Sequence, residues 1–127
     1  MKIKQVILIR KDLKMRRGKE IAQGSHASME FLVSGLRGAG TASTVLTLDP
    51  DAAAWVQKGM AKVCLRVNAE QELIELHEQA LALGLKSHLI RDSGRTEFAG
   101  VPTLTACAIG PDPAEKIDEV TGSLIPY

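Results

Sequence analysis

Residues 3–28 read IKQVILIRKDLKMRRGKEIAQGSHAS, and the change of pattern partway along this stretch decides the fold. The first eight, Ile3–Arg10, are dense in β-branched side chains and read as a buried strand. From about Gly18 to Leu36 the period becomes helical. Ile21, Ala22, Met29, Leu32 and Val33 form the expected apolar stripe, and Gly38 and Gly40 end the helix. Lys19, Gln23 and His26 fall at i, i+4 and i+7, on the border of that stripe. An amine, an amide and an imidazole in one row place this border at the wall of a cleft. No Ser, Thr, Asp or Asn precedes the helix. Its first N–H groups are therefore left for water or an anion, and the helix dipole favours the anion.

The rest of the chain repeats the alternation. Residues 39–50 are a Gly/Thr/Ser loop, and Asp49-Pro50-Asp51 starts a short helix that carries Trp55 and stops at Gly59. Ala61–Val67 reads as a second strand. Asn68 is placed to cap the next helix, with Gln71 completing a capping box. That helix carries Leu73, Ile74, Leu76, Ala80 and Leu81, and Gly84 closes it. Ser87–Arg91 and Thr103–Ile109 are two further strands, and Pro111 and Pro113 introduce a last helix over Ala114–Thr121, ended by Gly122. Helices between strands favour parallel pairing, whereas the short link between the last two strands favours an antiparallel pair. The expectation is an α/β domain with a four-stranded mixed sheet and helices on both faces.

At 127 residues the chain is long enough for one core and one domain, residues 1–127. Apolar residues make up 45% and aromatics only 3%, so Leu, Ile, Val and Ala fill that core. There is no long uncharged apolar run for a membrane span, and the start is too charged for a signal peptide. Cys64 and Cys107 sit apart in strand-like segments and read as two buried thiols of a reduced, cytoplasmic protein. The net charge of +1 hides an asymmetry: residues 1–19 hold eight of the sixteen basic residues against one acid, Asp12. Such a patch on a near-neutral chain fits a polyanion, although a solvated basic loop reads the same way.

In open α/β sheets, ligands gather at the carboxyl ends of parallel strands. The first strand runs into the basic loop and the helix start bearing Lys19; the third ends at RDSGRTE, residues 91–97, with Asp92 at its terminus. If the fourth strand returns antiparallel, Thr103 and Thr105 lie at the same edge. Lys19, Asp92, Thr96 and one of these threonines thus converge. Taken singly, each has a plainer reading: a solvated amine, an Asx turn, ordinary strand threonines, a core histidine at His26 and a loop-capping amide at Gln23. His77 and His88 read as structural. Zinc-ligand spacing and phosphate-binding glycine loops are both missing.

The combination GKEIAQGSHA (18–27), RDSGRT (91–96) and AIGP (108–111), with the W…G…KV segment 55–63, is specific, and over nearly its whole length the chain resembles the type II peptidyl-tRNA hydrolases. The resemblance implies a three-layer α/β/α domain around a four-stranded mixed sheet. It further implies cleavage of the ester between a peptide and the 3′ ribose of tRNA. The family's implicated residues match Lys19, His26, Asp92, Thr96 and Thr105. Lys11, Lys14, Arg16, Arg17, Gln23 and Arg95 are the expected substrate-binding residues. Peptidyl-tRNA is the expected partner, a homodimer is left open, and no metal or other cofactor is required. Three positions depart from the family's usual pattern. Gly24 stands where cysteine is usual and Glu97 where glutamine is usual, and residues 98–104 are one longer than the usual loop. Glu97 adds a negative charge beside the site and is expected to weaken tRNA affinity or alter the pH dependence.

For the mechanism, Asp92, directly or through His26, is expected to orient and deprotonate a water, and Lys19 to stabilise the developing negative charge. Thr96 and Thr105 would hold water or ester, with Gln23 in support. The competing reading is a binding module that keeps the tRNA surface without turnover. A protein-interaction adaptor with no RNA role is a third.

Overall fold

The β-branched run at the start forms β1 (Ile3–Arg10), which occupies the middle of the sheet and is buried along most of its length. The structure is a computed structural model describing residues 2–95 and 97–127. After β1 come α1 (Arg17–Val33), α2 (Pro50–Gln57), β2 (Lys62–Val67), α3 (Glu70–Ala82), β3 (Ser87–Asp92), a 3₁₀ turn at Phe98–Gly100, β4 (Thr103–Pro113) and α4 (Ala114–Thr121). The four strands lie in the order β2-β1-β4-β3. β1 and β2 are parallel, while β4 runs antiparallel to both β1 and β3. This is the mixed sheet expected from the spacing of the elements.

Alternation along β1 divides the core into two. Val6 and Leu8 point to one face and pack with Leu73, Leu76 and Ala80 of α3 and Ile117 and Val120 of α4. Ile7 and Ile9 point to the other, where they meet Met15, Ala27 of α1, Ile90, Ala106 and Ala108. α2 sits beside α1, with Trp55 edge-on to Phe31 at 5.8 Å. Asp49 caps α2 by accepting the Ala52 N–H at 2.9 Å, and Pro50 supplies the first helical turn.

Four local expectations need correction. α1 ends at Val33 and does not run on to Leu36. Its buried residues are Gln23, Gly24 and Ala27, whereas Ile21 is 64% exposed and Met29 56%. Small side chains let this helix lie close to β1, so size of apolar side chain is a poor guide to the face it buries. α3 is not capped by Asn68: Ala69 holds the cap position, and Glu72 reaches back to the Asn68 N–H at 2.7 Å. Cys107 is buried, but Cys64 is exposed, because the first half of edge strand β2 faces solvent.

Candidate active site

β3 ends in Asp92, β4 begins beside it in the opposite direction, and α1 crosses above them. The Asp92 carboxylate is held from three sides. Lys19 Nζ lies 2.8 Å from Oδ1, Gln23 Nε2 donates to the same oxygen at 3.3 Å, and the Gly94 N–H donates to Oδ2 at 2.9 Å. The Lys19 and Asp92 side chains keep only 15% and 12% exposure. Gln23 in turn accepts the Thr105 hydroxyl at 2.5 Å, both residues being buried. Lys19, Asp92, Gln23 and Thr105, distant in sequence, therefore form one hydrogen-bonded chain.

Local sequence explains the geometry. Asp92 bonds the backbone two residues on, the habit of aspartate at a turn. Gly94 sits at φ +82°, and a Cβ there would fall 2.7 Å from the Val101 nitrogen, so no larger residue fits without backbone movement. Thr105 lies where the β3–β4 ladder shifts register: Ile90 faces Ala106, Arg91 faces Leu104, and Thr105 is the extra residue. A bulge of this kind re-aims a side chain. The Lys19 hydrogen bond holds the Asp92 carboxyl below the usual carboxylate range, outweighing its partial burial, with the Gly94 N–H assisting. Asp92 is therefore ionised at neutral pH. Arg16, at the cap position of α1, makes no side-chain cap hydrogen bond.

His26 is exposed and lines a cavity of about 430 Å³ that also includes Gln23, Glu30, Arg37, Arg91 and Asp92. It is not among the described hydrogen-bond partners of the Asp92 carboxylate, with which it shares the lining of that cavity. On the same wall, Glu30 is gripped by the Arg37 guanidinium, which lowers its pKa. Arg95 is exposed in the turn after Asp92, and Thr96 lies outside the described residues. Lys11, Lys14 and Arg17 line a second concavity of about 550 Å³ with Met15, Glu20 and Tyr127. Lys11 lies 5.5 Å above the Tyr127 ring, whose hydroxyl donates to Glu20 and is pushed up to about 12, mainly by burial. Arg16 is 90% exposed, 3.9 Å from Glu97.

One neighbour of the network was not expected from sequence: Arg10, a charged residue closing a buried strand, with Asp12 two residues on as the only clue. His77 and His88 are not among the described hydrogen-bond partners of the network. His77 Nδ1 lies 2.6 Å from Ser87 Oγ, and burial lowers both imidazoles. Cys107, beside Ser87, is pushed up to about 11 by burial and is no nucleophile at neutral pH. Among the described residues, no three His, Cys, Asp or Glu cluster closely enough to hold a metal ion, and no helix is long and apolar enough to cross a membrane.

The family model described as peptidyl-tRNA hydrolase PTH2 matches residues 3–127. The chain is 42% identical over 122 residues to a peptidyl-tRNA hydrolase of Methanocaldococcus jannaschii, covering 96% of this chain and 97% of that protein. It is 43% identical over 122 residues to one from Methanopyrus kandleri, covering 95% of each. A third, from Pyrobaculum aerophilum, is 39% identical over 128 residues, covering 100% of this chain and 99% of its own length. A match of this extent, with the strands and helix that carry the converging residues all inside it, places the chain in the PTH2 family of peptidyl-tRNA hydrolases.

Proposed function

We propose that this chain hydrolyses the ester joining a peptide, or an N-blocked amino acid, to the 3′ ribose of tRNA. The observation that supports this site most directly is the ammonium–carboxylate pair of Lys19 and Asp92, almost shut off from water yet bordering an open cavity. Ester hydrolysis needs an activated water, a place for negative charge to develop and a held substrate. Lys19, fixed by Asp92, supplies the positive charge for the oxyanion, assisted by the N–H groups at the start of α1. Lys19 draws the Asp92 carboxyl below the usual carboxylate range, which makes it a poorer base than a free carboxylate. Its role is to fix Lys19 and to orient the water. His26, on the lining of the same cavity, takes the water's proton and returns it to the departing ribose oxygen, which leaves as the hydroxyl. Gln23 and Thr105 keep the carboxylate in place, and Thr96, through its position in the RDSGRT motif, is the further hydroxyl assigned to hold water or ester.

Lys11, Lys14, Arg16 and Arg17 bind tRNA phosphates, with Arg95 beside the acylated end. Glu97 lies 3.9 Å from Arg16, where its extra charge offsets one of these phosphate-binding cations. Residues 1–127 act as a single domain in the cytoplasm. The reaction as written needs one copy of the chain; a homodimer fits it provided that the edge formed by α1, β3 and β4 stays open.

Single-turnover hydrolysis of an N-blocked aminoacyl-tRNA, measured together with tRNA affinity, tests this reading. Release of free tRNA is expected at comparable rates across different tRNAs, because only four of the residues are aromatic and base stacking contributes little. A protein that binds tRNA and never cleaves it would be the binding module instead.

A further inference from the structure

Arg10 is the last residue of β1, and 9% of its surface is exposed. Its guanidinium reaches in two directions. Nε and Nη2 grip both oxygens of Asp12 at 3.1 and 2.7 Å, in the bidentate geometry that makes such pairs strong and directional. Nη1 donates at 3.0 Å to the carbonyl of Leu104. Asp12 belongs to the basic loop that runs on to Lys14, Arg16 and Arg17. Leu104 immediately precedes Thr105, the extra residue of the β4 bulge, whose hydroxyl holds Gln23 and through it Asp92. The β1–β4 ladder pairs Ile9 with Ala106, so the Leu104 carbonyl lies just beyond it, and the arginine takes it up.

We propose that Arg10 is a positioning residue with two arms: one fixes the basic loop through Asp12, the other fixes the Thr105 bulge through Leu104. It thereby ties the phosphate-gripping surface to the hydrolytic network. This inference rests on the hydrolase reading above. A lysine at this position has one nitrogen and cannot hold a carboxylate bidentately while also reaching a carbonyl on another strand.

The two arms separate in experiment. Asp12→Ala cuts the loop arm alone. It is expected to weaken tRNA affinity and flatten its salt dependence, leaving the single-turnover rate at saturating enzyme within a few-fold of wild type. Arg10→Met cuts both arms. It is expected to lose affinity and also about 100-fold in saturating rate, the scale of a ~1 Å misplacement in an active site. Arg10→Lys keeps the charge and one hydrogen bond, so its rate should lie between these, and it serves in place of Arg10→Met if that variant does not fold. The Gln23 side-chain NH₂ signals in an NMR spectrum report the bulge arm without any turnover. They should shift in Arg10→Lys and stay in place in Asp12→Ala. A folded Arg10 variant with wild-type saturating rate and unmoved Gln23 signals overturns the proposal, as does an Asp12→Ala variant that loses as much rate as Arg10→Met. If the wild type cleaves nothing, the hydrolase reading fails, and the Gln23 signals together with tRNA affinity still decide whether Arg10 joins the two regions.

Discussion

On the flank of α1 that faces β3 and β4, Lys19 and Gln23 are tied into a hydrogen-bonded network and His26 lines the adjoining cavity. On the flank that faces β2, Ile21 and Met29 border an open hollow of about 510 Å³ with Ile7, Cys64 and Tyr127. The helix thus buries an amide, a glycine and an alanine, half-buries Phe31, Leu32 and Val33, and leaves Ile21 and Met29 in water. Polar groups are buried without penalty only when their hydrogen bonds are made, and here Thr105 and Asp92 make them. The difference teaches that this flank is organised for chemistry, and that its cost in apolar burial is carried by the other faces of the sheet.

The largest effect is expected at the network's charge. Asp92→Asn keeps the shape but removes the charge that pairs with Lys19, and should reduce single-turnover hydrolysis by about 100- to 1,000-fold, the scale of a misaimed oxyanion group, while tRNA binding persists. A loss of only a few-fold would remove Asp92 from the mechanism. The same variant has a pH signature. The folded pKa of Asp92 lies below its unfolded value near 3.9, so its stabilisation is present above that value and is lost as pH falls through the folded one. The stability gap between wild type and Asp92→Asn, measured by urea denaturation, should be flat near neutrality and shrink below about pH 4. A gap that grows on acidification would reverse the sign argued here.

Next comes the hydroxyl behind it. Thr105 is fully buried, and Thr105→Val leaves the Gln23 oxygen without its donor, which should cost about 1–3 kcal/mol in stability and lower the rate as Asp92 loosens. Ile21→Thr or Met29→Gln on the opposite flank should stay within about 0.5 kcal/mol. Equal effects on the two flanks would erase the contrast.

A smaller effect is expected at the entrance to α1. Replacing Arg16 and Arg17 by alanine should weaken tRNA binding and reduce the slope of log affinity against log salt by about 0.7–0.9 for each phosphate lost. An unchanged slope would put the tRNA elsewhere on the surface.

Much of this was legible beforehand, and the reasons differ by element. β1 announced itself because it is buried on both faces and dense in β-branched residues, and α4 because it lies between two prolines and a glycine. The meeting of Lys19 and Asp92 with a threonine of β4 followed from topology, since an antiparallel β4 must begin where β3 ends; the choice of Thr105 over Thr103 came from the resemblance to the family. The buried face of α1 was not legible. Periodicity weighs side chains by hydrophobicity, and this face is selected by small size and by polar partners contributed from β3 and β4. Departures of this kind are expected where function overrides local rules. Arg10 was illegible for a related reason, since its partner on β4 is a backbone carbonyl and has no sequence mark of its own.

The smallest effect tests whether α1 owes its close approach to the missing side chain at Gly24. This glycine is buried in mid-helix, where it weakens the helix by roughly 0.5–1 kcal/mol relative to alanine. If the site required glycine, a Cβ would collide with the sheet. Built on this backbone, the Cβ instead meets Ile7 Cγ2 and Ile9 Cδ1, each at 3.8 Å, which is ordinary contact. Gly24→Ala should therefore stabilise the protein by about 0.5–1 kcal/mol, with a small gain from burying one methyl group. Gly24→Cys, the residue usual in the type II family, should be tolerated as well. Neither should change the hydrolysis rate beyond a few-fold, because Gly24 points at β1 and away from Lys19 and Asp92. Urea denaturation and single-turnover hydrolysis of both variants decide the matter. A destabilised Gly24→Ala would mean that the helix is seated more tightly than these distances allow, and that the spacing between α1 and β1 is itself part of the active-site geometry.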